Sequence, residues 1–246
     1  MRLDAYLPKH FEEIHSRETA KKLIKSEKVR VNGKIVTKPA FDVSDTDNIE
    51  VLDKLPFVSR GGEKLHAALS SFNITVKNRI AIDIGASTGG FTDCLLQNGI
   101  AKVYCIDVGT AQLHPTLRNH PKIINYEHVN ARYLSQYIAE KQITLSPPPD
   151  LLVMDVSFIS VTKIIDEVAR AMQSGSDFIV LIKPQFEMEE KIQTKKGVIK
   201  AGELHQQAIE KVKKYLTEKN FHIKGIISSP IKGGDGNKEF LIYFRN

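Results

Sequence analysis

The nine residues Asp83-Ile84-Gly85-Ala86-Ser87-Thr88-Gly89-Gly90-Phe91 constrain this chain more than any other stretch. Before them runs Arg79-Ile80-Ala81-Ile82, a short β-branched apolar segment of the kind a buried parallel strand shows. After them Phe91-Thr92-Asp93-Cys94-Leu95-Leu96 carries apolar residues at helical spacing. Strand, glycine turn and helix together aim backbone N–H groups at the carboxyl edge of a sheet. No Lys follows the glycines, which excludes a phosphate-cradling Walker loop, and their order is not the dinucleotide G-x-G-x-x-G. Glycines that serve only close packing remain an alternative.

A second carboxylate narrows the choice. Val103-Tyr104-Cys105-Ile106-Asp107 reads as another apolar strand ending in an acid, 24 residues beyond Asp83. An acid there is placed to accept both hydroxyls of a ribose. An acid at the glycine turn as well suits a ligand that joins a charged amino acid to an adenosine, namely S-adenosylmethionine. The expected contacts are Asp83, Gly85, Ala86, Ser87, Gly89, Gly90 and Phe91 toward the methionine end, and Asp107 with Val108 at the ribose. Asn130, after the third strand, serves either the adenine edge or a helix cap.

From Arg79 onward strand and helix patterns alternate. Strands are expected near Ile80–Ile84, Lys102–Asp107, Ile123–Tyr126, Leu151–Asp155, Phe178–Lys183, His222–Ser228 and Phe240–Phe244. Helices are expected near Gly90–Asn98, Tyr133–Glu140, Ser160–Met172 and Leu204–Lys219. That order implies an α/β, Rossmann-like seven-stranded domain. Only a Pro/Gly-rich loop separates the last two strands, so they pair antiparallel and leave one reversed strand at the end of the sheet.

The first fifty residues form a small α+β module of a different kind. Ser16 is placed to cap a helix whose inward face is Ala20, Leu23 and Ile24, and Asn32-Gly33 marks a type I′ hairpin turn. From Met1 to Lys38 there are ten Lys or Arg against five Asp or Glu, most of the chain's net charge of +6. Arg2, Arg17, Lys21, Lys22, Lys25 and Arg30 are the expected RNA contacts in this module, with Arg60 beyond it; an ordinary solvated face is the alternative. The expected domains are 1–53 for RNA binding and 63–246 for catalysis, joined by residues 54–62, where Asp53-Lys54-Leu55-Pro56 breaks the pattern. No apolar run suggests a membrane span or signal segment, and two cysteines in apolar surroundings suit a reducing compartment, so the expected location is the cytoplasm. The histidine and cysteine content gives no metal-binding pattern, and the chain's oligomeric state is not legible.

Four charged residues stand at strand ends or in adjoining loops. Asp155 closes Leu151-Leu152-Val153-Met154, Lys183 closes Ile179-Val180-Leu181-Ile182, Glu239 opens the last strand, and Lys64 lies in the first turn of a helix begun by Gly61-Gly62. A lysine that closes an apolar strand must reach water or enter a polar pocket. A cation in the first turn opposes the helix dipole. Any one of them could be a rim charge; two amines and two carboxylates together read as a site.

The segments Ser59-Arg60-Gly61-Gly62-Glu63-Lys64-Leu65, Asp83 to Asp93, Asp155-Val156-Ser157-Phe158-Ile159-Ser160, Lys183-Pro184-Gln185-Phe186-Glu187 and Gly236-Asn237-Lys238-Glu239-Phe240 resemble the TlyA (hemolysin A) family. Those are RNA 2′-O-ribose methyltransferases with an FtsJ-like catalytic domain. Arg2-Leu3-Asp4, Ser16-Arg17 and Val29-Arg30-Val31-Asn32-Gly33 likewise resemble a small ribosomal-protein-type RNA-binding domain. The resemblance implies a Lys-Asp-Lys-Glu tetrad at Lys64, Asp155, Lys183 and Glu239. It also implies ribosomal RNA or ribosomal subunits as partner, with cytidine as the target. In that reading Lys183 is the base, with burial and the neighbouring Lys64 ammonium favouring its neutral amine. Two rival readings are a non-catalytic RNA-binding or ribosome-assembly factor and, from the family's older name, a lytic protein. The latter needs a membrane-inserting segment that the sequence does not offer.

Overall fold

The computed structural model describes residues 1–12, 14, 16–52, 56–188 and 202–246. Two compact units divide between Pro56 and Phe57. Of the expected connection, Asp53 to Leu55 lie outside the described residues, and residues 57–62 fall in the larger unit.

In the smaller unit, helices α1 (Leu3–His10) and α2 (Arg17–Lys25) precede a three-stranded antiparallel sheet of β1 (Val29–Val31), β2 (Lys34–Ile35) and β3 (Ile49–Val51), ordered β2-β1-β3. Ser16 caps α2 by accepting from the Thr19 N–H at 3.1 Å. Ala20, Leu23 and Ile24 are buried against Leu3, Leu7 and Val29, which gives this unit a core of its own. Asn32 and Gly33 both have positive φ, +51° and +76°, as a type I′ turn requires.

The larger unit is built on seven strands: β4 (Ile80–Ile84), β5 (Lys102–Ile106), β6 (Ile123–Tyr126), β7 (Leu151–Met154), β8 (Asp177–Ile182), β9 (His222–Ser228) and β10 (Phe240–Arg245). Their order across the sheet is β6-β5-β4-β7-β8-β10-β9. Alternate residues serve opposite faces. Ile82, Ile84, Tyr104, Leu152 and Val180 pack on one side with α6 (Leu134–Ala139), α7 (Ile165–Ala169) and α9 (Gly202–Glu218). Ala81, Val103, Cys105, Val153 and Leu181 pack on the other with α3 (Gly61–Ser71), α4 (Gly90–Gln97) and the short α5 (Pro115–Arg118). The chain is thus a Rossmann-like α/β domain with a small α+β module ahead of it.

Two details differ from the sequence reading. The reversed strand is β10, and it lies inside the sheet, antiparallel to both β8 and β9, while β9 forms the edge. Burial explains the order: Phe240 to Phe244 are all buried, whereas β9 alternates with exposed His222, Lys224 and Ser228. The helix expected from Ser160 begins instead as a 3₁₀ turn (Val161–Lys163), and α7 follows it. A four-residue helix, α8 (Pro184–Glu187), follows β8 directly.

Candidate active site

The sheet registers bring the charged strand ends to one edge. Ile84 pairs with Met154 across β4 and β7, which sets Gly85 level with Asp155. Phe240 pairs with Ile182 across β10 and β8, and the reversed direction of β10 places Glu239 beside Lys183. Lys64 arrives from the first turn of α3, whose start is fixed from two sides. The Val58 N–H donates to Asp93 of α4 at 2.8 Å, and the Phe57 ring occupies the space where any side chain at residue 62 would stand.

These four residues form one chain of ion pairs. Lys183 Nζ lies 2.6 Å from Asp155 Oδ1, Lys64 Nζ lies 3.6 Å from Asp155 Oδ2, and Lys64 Nζ lies 2.6 Å from Glu239 Oε2. Lys64, Lys183 and Glu239 are buried and Asp155 is partly so. Charges withdrawn from water are tolerated only when paired, and here two cations alternate with two anions. The first-turn lysine that opposes the α3 dipole is therefore held by carboxylates of other elements. Lys183 Nζ also donates to Ser157 Oγ at 2.7 Å.

Asp155 opens onto a cavity of about 310 Å³. From the expected cofactor residues its wall takes Gly85, Ser87, Asp107, Val108 and Asn130. At Gly85 the backbone has φ +78°, and an added Cβ would lie 2.5 Å from the Asp155 carbonyl oxygen, so only glycine fits between the turn and the β7 loop. Asp107 accepts the N–H of Ser87 at 2.8 Å and of Gly109 at 2.7 Å, which holds its carboxylate against the turn. Asn130 Oδ1 accepts the Arg132 N–H at 3.1 Å, so Asn130 acts as a cap and also forms cavity wall.

The other expected cofactor residues lie elsewhere. Asp83 is fully buried and does not line the cavity; its Oδ2 accepts from Thr92 Oγ1 at 2.6 Å and its Oδ1 has no hydrogen-bond partner. Burial, with the charges of Asp155 and Asp107 adding to it, pushes the Asp83 carboxyl up to about 7. Ala86 and Phe91 are packed in the core on the α3/α4 side, and Gly89 and Gly90 are buried without reaching the cavity.

In the smaller unit the cationic side chains divide by partner. Arg2 and Arg17 both bind the fully buried Asp4, at 2.8 and 3.1 Å, and hold its carboxyl below the usual range, chiefly through the Arg2 hydrogen bonds. Lys21 pairs with Glu18 at 2.6 Å, and Arg30 lies 3.9 Å from Glu50. Lys25 is exposed and Lys22 half-buried. Arg60, just ahead of α3 in the larger unit, is exposed.

Among the cavity residues that sequence reasoning passed over are Ser157, Phe158 and Gln112, besides apolar wall such as Val129, Ala131 and Ile164. Ser157 and Phe158 follow Asp155 directly, and that adjacency was the available signal. Phe158 is 91% exposed and sits at φ +66°, unusual for an aromatic residue. Nothing in the sequence around Gln112 marks it. Among the described residues no helix is long and apolar enough to cross a membrane, and no group of three or more His, Cys, Asp or Glu could hold a metal ion.

The FtsJ-like methyltransferase family matches residues 57–246, and the S4 domain matches residues 1–49. The chain is 42% identical over 245 residues to a protein of Brachyspira hyodysenteriae named Hemolysin A, covering 99% of both. It is 37% identical over 232 residues, 94% of this chain and 84% of the relative, to a Mycobacterium tuberculosis protein named 16S/23S rRNA (cytidine-2′-O)-methyltransferase TlyA. A solved structure from Streptococcus thermophilus is 36% identical and superposes with a TM-score of 0.75, covering 100% of this chain and 88% of that one.

Proposed function

The chain belongs to the FtsJ-like methyltransferase family, and on that premise we propose that it methylates a ribose 2′-hydroxyl of ribosomal RNA, at cytidine, with S-adenosylmethionine as donor. One observation carries the reading: a single cavity is walled by Gly85, Ser87, Asp107 and Asn130 on one side and by Asp155 of the Lys183–Asp155–Lys64–Glu239 chain on the other. A nucleoside-binding wall and a set of proton-handling groups thus share one space.

The residues present fit the donor. Asp107 offers remaining lone pairs to ribose hydroxyls, and Val108, Val129, Ala131 and Ile164 give an apolar slot for a base. The side-chain-free Gly85 brings the turn close to the Asp155 carbonyl, as a cradle must. When bound, the donor supplies a methyl group already activated by its sulfonium. What remains for the protein is to align the hydroxyl and remove its proton.

Lys183 accepts that proton. Asp155 orients its Nζ, Lys64 favours the developing negative charge on the ribose oxygen, and Glu239 holds Lys64 in place. The exposed ring of Phe158 at the cavity wall offers a stacking surface for an unpaired base. In the S4 module the cationic side chains meet phosphates and the shape of folded RNA rather than base edges. Ribosomes as substrate place the protein in the cytoplasm.

The test uses ribosomal subunits that lack 2′-O-methylation and methyl-labelled S-adenosylmethionine. Lys183→Ala is expected to lower transfer by at least about 100-fold, the scale of a lost general base, with donor affinity within about twofold of wild type. Activity at the wild-type level would remove Lys183 from the chemistry.

A further inference from the structure

We infer that Ser157 is a positioning residue for the methyl transfer: its hydroxyl, with Asp155, takes up both N–H bonds of the neutral Lys183 amine and leaves the nitrogen lone pair for the ribose hydroxyl. The inference rests on the reading of Lys183 as the base.

The argument begins with valence. A neutral lysine amine has two N–H bonds and one lone pair, arranged tetrahedrally. Lys183 Nζ donates to Ser157 Oγ at 2.7 Å and lies in ion-pair contact with Asp155 Oδ1 at 2.6 Å, an oxygen that no hydrogen bond engages in this arrangement and that a turn about the Cε–Nζ bond lets a second N–H meet. An ionised carboxylate can only accept, and a hydroxyl whose own hydrogen turns elsewhere accepts as well. With both N–H bonds directed to those oxygens, the lone pair has one direction left. With Ser157 removed, the amine turns about its Cε–Nζ bond and spends part of its time with the lone pair misdirected. A base must be within reach of its proton and correctly turned, so the loss falls on the transfer step.

Three further observations set Ser157 apart from an ordinary surface serine. It is exposed, yet its Oγ lies on the Nζ of buried Lys183, and it forms part of the cavity wall together with Asp107 and Asn130. The next residue, Phe158, holds φ +66°, a conformation unfavourable for a bulky side chain that persists only where the surroundings enforce it. The surroundings that enforce it are identifiable. Glu187, just beyond Lys183, accepts from Ser160 Oγ at 2.5 Å and from the Val161 N–H at 2.9 Å, and the Phe186 and Phe158 rings meet at 5.1 Å. The loop that carries Ser157 is therefore fastened at several points to the segment that carries Lys183.

The experiment compares wild type, Ser157→Ala, Ser157→Thr and Lys183→Ala in single-turnover methylation of ribosomal subunits with labelled S-adenosylmethionine, alongside donor and RNA affinities. Ser157→Ala is expected to slow the transfer step about tenfold, the worth of one hydrogen bond, with both affinities unchanged. Ser157→Thr keeps the hydroxyl at an exposed position and is expected to restore the rate to within about threefold. An inactive Lys183→Ala beside a fully active Ser157→Ala would overturn the role of Ser157 and leave Lys183 as base. Equal slowing by Ala and Thr would also overturn it, because the shape of the loop would then matter and the hydroxyl would not. A fully active Lys183→Ala would remove the base itself, and this inference with it.

Discussion

Asp83 and Asp107 look alike in the sequence, since each closes an apolar run, yet the structure gives them opposite surroundings. Asp107 stands one residue past the end of β5 and turns into the cavity wall, while Asp83 is the last but one residue of β4 and still obeys the alternation of the strand. Ala81 packs on the α3/α4 face, and two residues on Asp83 follows it to Thr92 of α4. The spacing of acids was legible; which of them had left the ladder was not, because one residue decides it. A consequence can be measured. Burial raises the folded-state value of Asp83 to about 7 from an ordinary 3.8, so between roughly pH 4 and pH 7 the folded chain keeps a proton that the unfolded chain releases. Folding stability therefore falls as pH rises through that window, and the loss stays above it. Asp83→Asn keeps an oxygen for the Thr92 hydroxyl and has no charge to bury. Urea midpoints at pH 5 and pH 8 are expected to diverge for wild type, by roughly 2–3 kcal/mol in stability, and much less for the variant. An identical pH dependence in both would mean that Asp83 ionises freely.

Elements were read best where burial is two-sided. Leu151 to Met154 and Asp177 to Ile182 are buried at every position, and the near-continuous apolar runs that mark such strands were read as strands near Leu151–Asp155 and Phe178–Lys183. Phe240 to Phe244 carries the same signature, and taking it at face value would have placed β10 inside the sheet and alternating β9 at the edge. Asp155 and Lys183 stood out because a charge that ends such a run needs a reason, and the structure brings them together with Lys64 and Glu239. The loop after β7 was not legible, because its shape comes from a distant partner. Glu187 supplies the acceptors that Ser160 and Val161 use, and that contact spans 27 residues of sequence to Ser160. Glu187 is buried, and burial raises its carboxyl above the usual range. Glu187→Ala leaves the buried Val161 N–H without an acceptor and the Ser160 hydroxyl with only Thr162 Oγ1 at 2.8 Å, for an expected loss of roughly 1–3 kcal/mol in chemical denaturation. Glu187→Gln keeps one acceptor and is expected to lose less. Equal stability of wild type and the Ala variant would show that the two loops hold their shapes without this link.

For the whole molecule, the question is how the division of the chain into two units divides its work. Each unit has its own buried core, Leu3, Leu7 and Leu23 in one and the two faces of the seven-stranded sheet in the other, so residues 57–246 satisfy the condition for folding alone. The basic surplus of Met1 to Lys38 is offset within the first unit by the acids of Phe41 to Asp53, which leaves that unit eleven Lys or Arg against ten Asp or Glu, and even this count overstates what is available to a polyanion. Arg2 and Arg17 share the buried Asp4, while Lys21 and Arg30 face Glu18 and Glu50, so part of the positive charge is already spent within the unit. The pairing was not legible, since Asp4 looks like any acid in a first helical turn until the fold buries it. The 57–246 fragment is expected to bind S-adenosylmethionine as the full chain does, because every residue of the cavity wall lies within it. Its RNA affinity is expected to be lower, and its salt dependence flatter by about 0.7 to 0.9 in log–log slope for each phosphate contact the module makes. The measurement is a salt titration of RNA binding by both proteins, with donor affinity measured in parallel. If donor affinity is preserved and the two slopes coincide, the cations of the first unit do not touch phosphate, and recognition of RNA belongs to the catalytic unit alone.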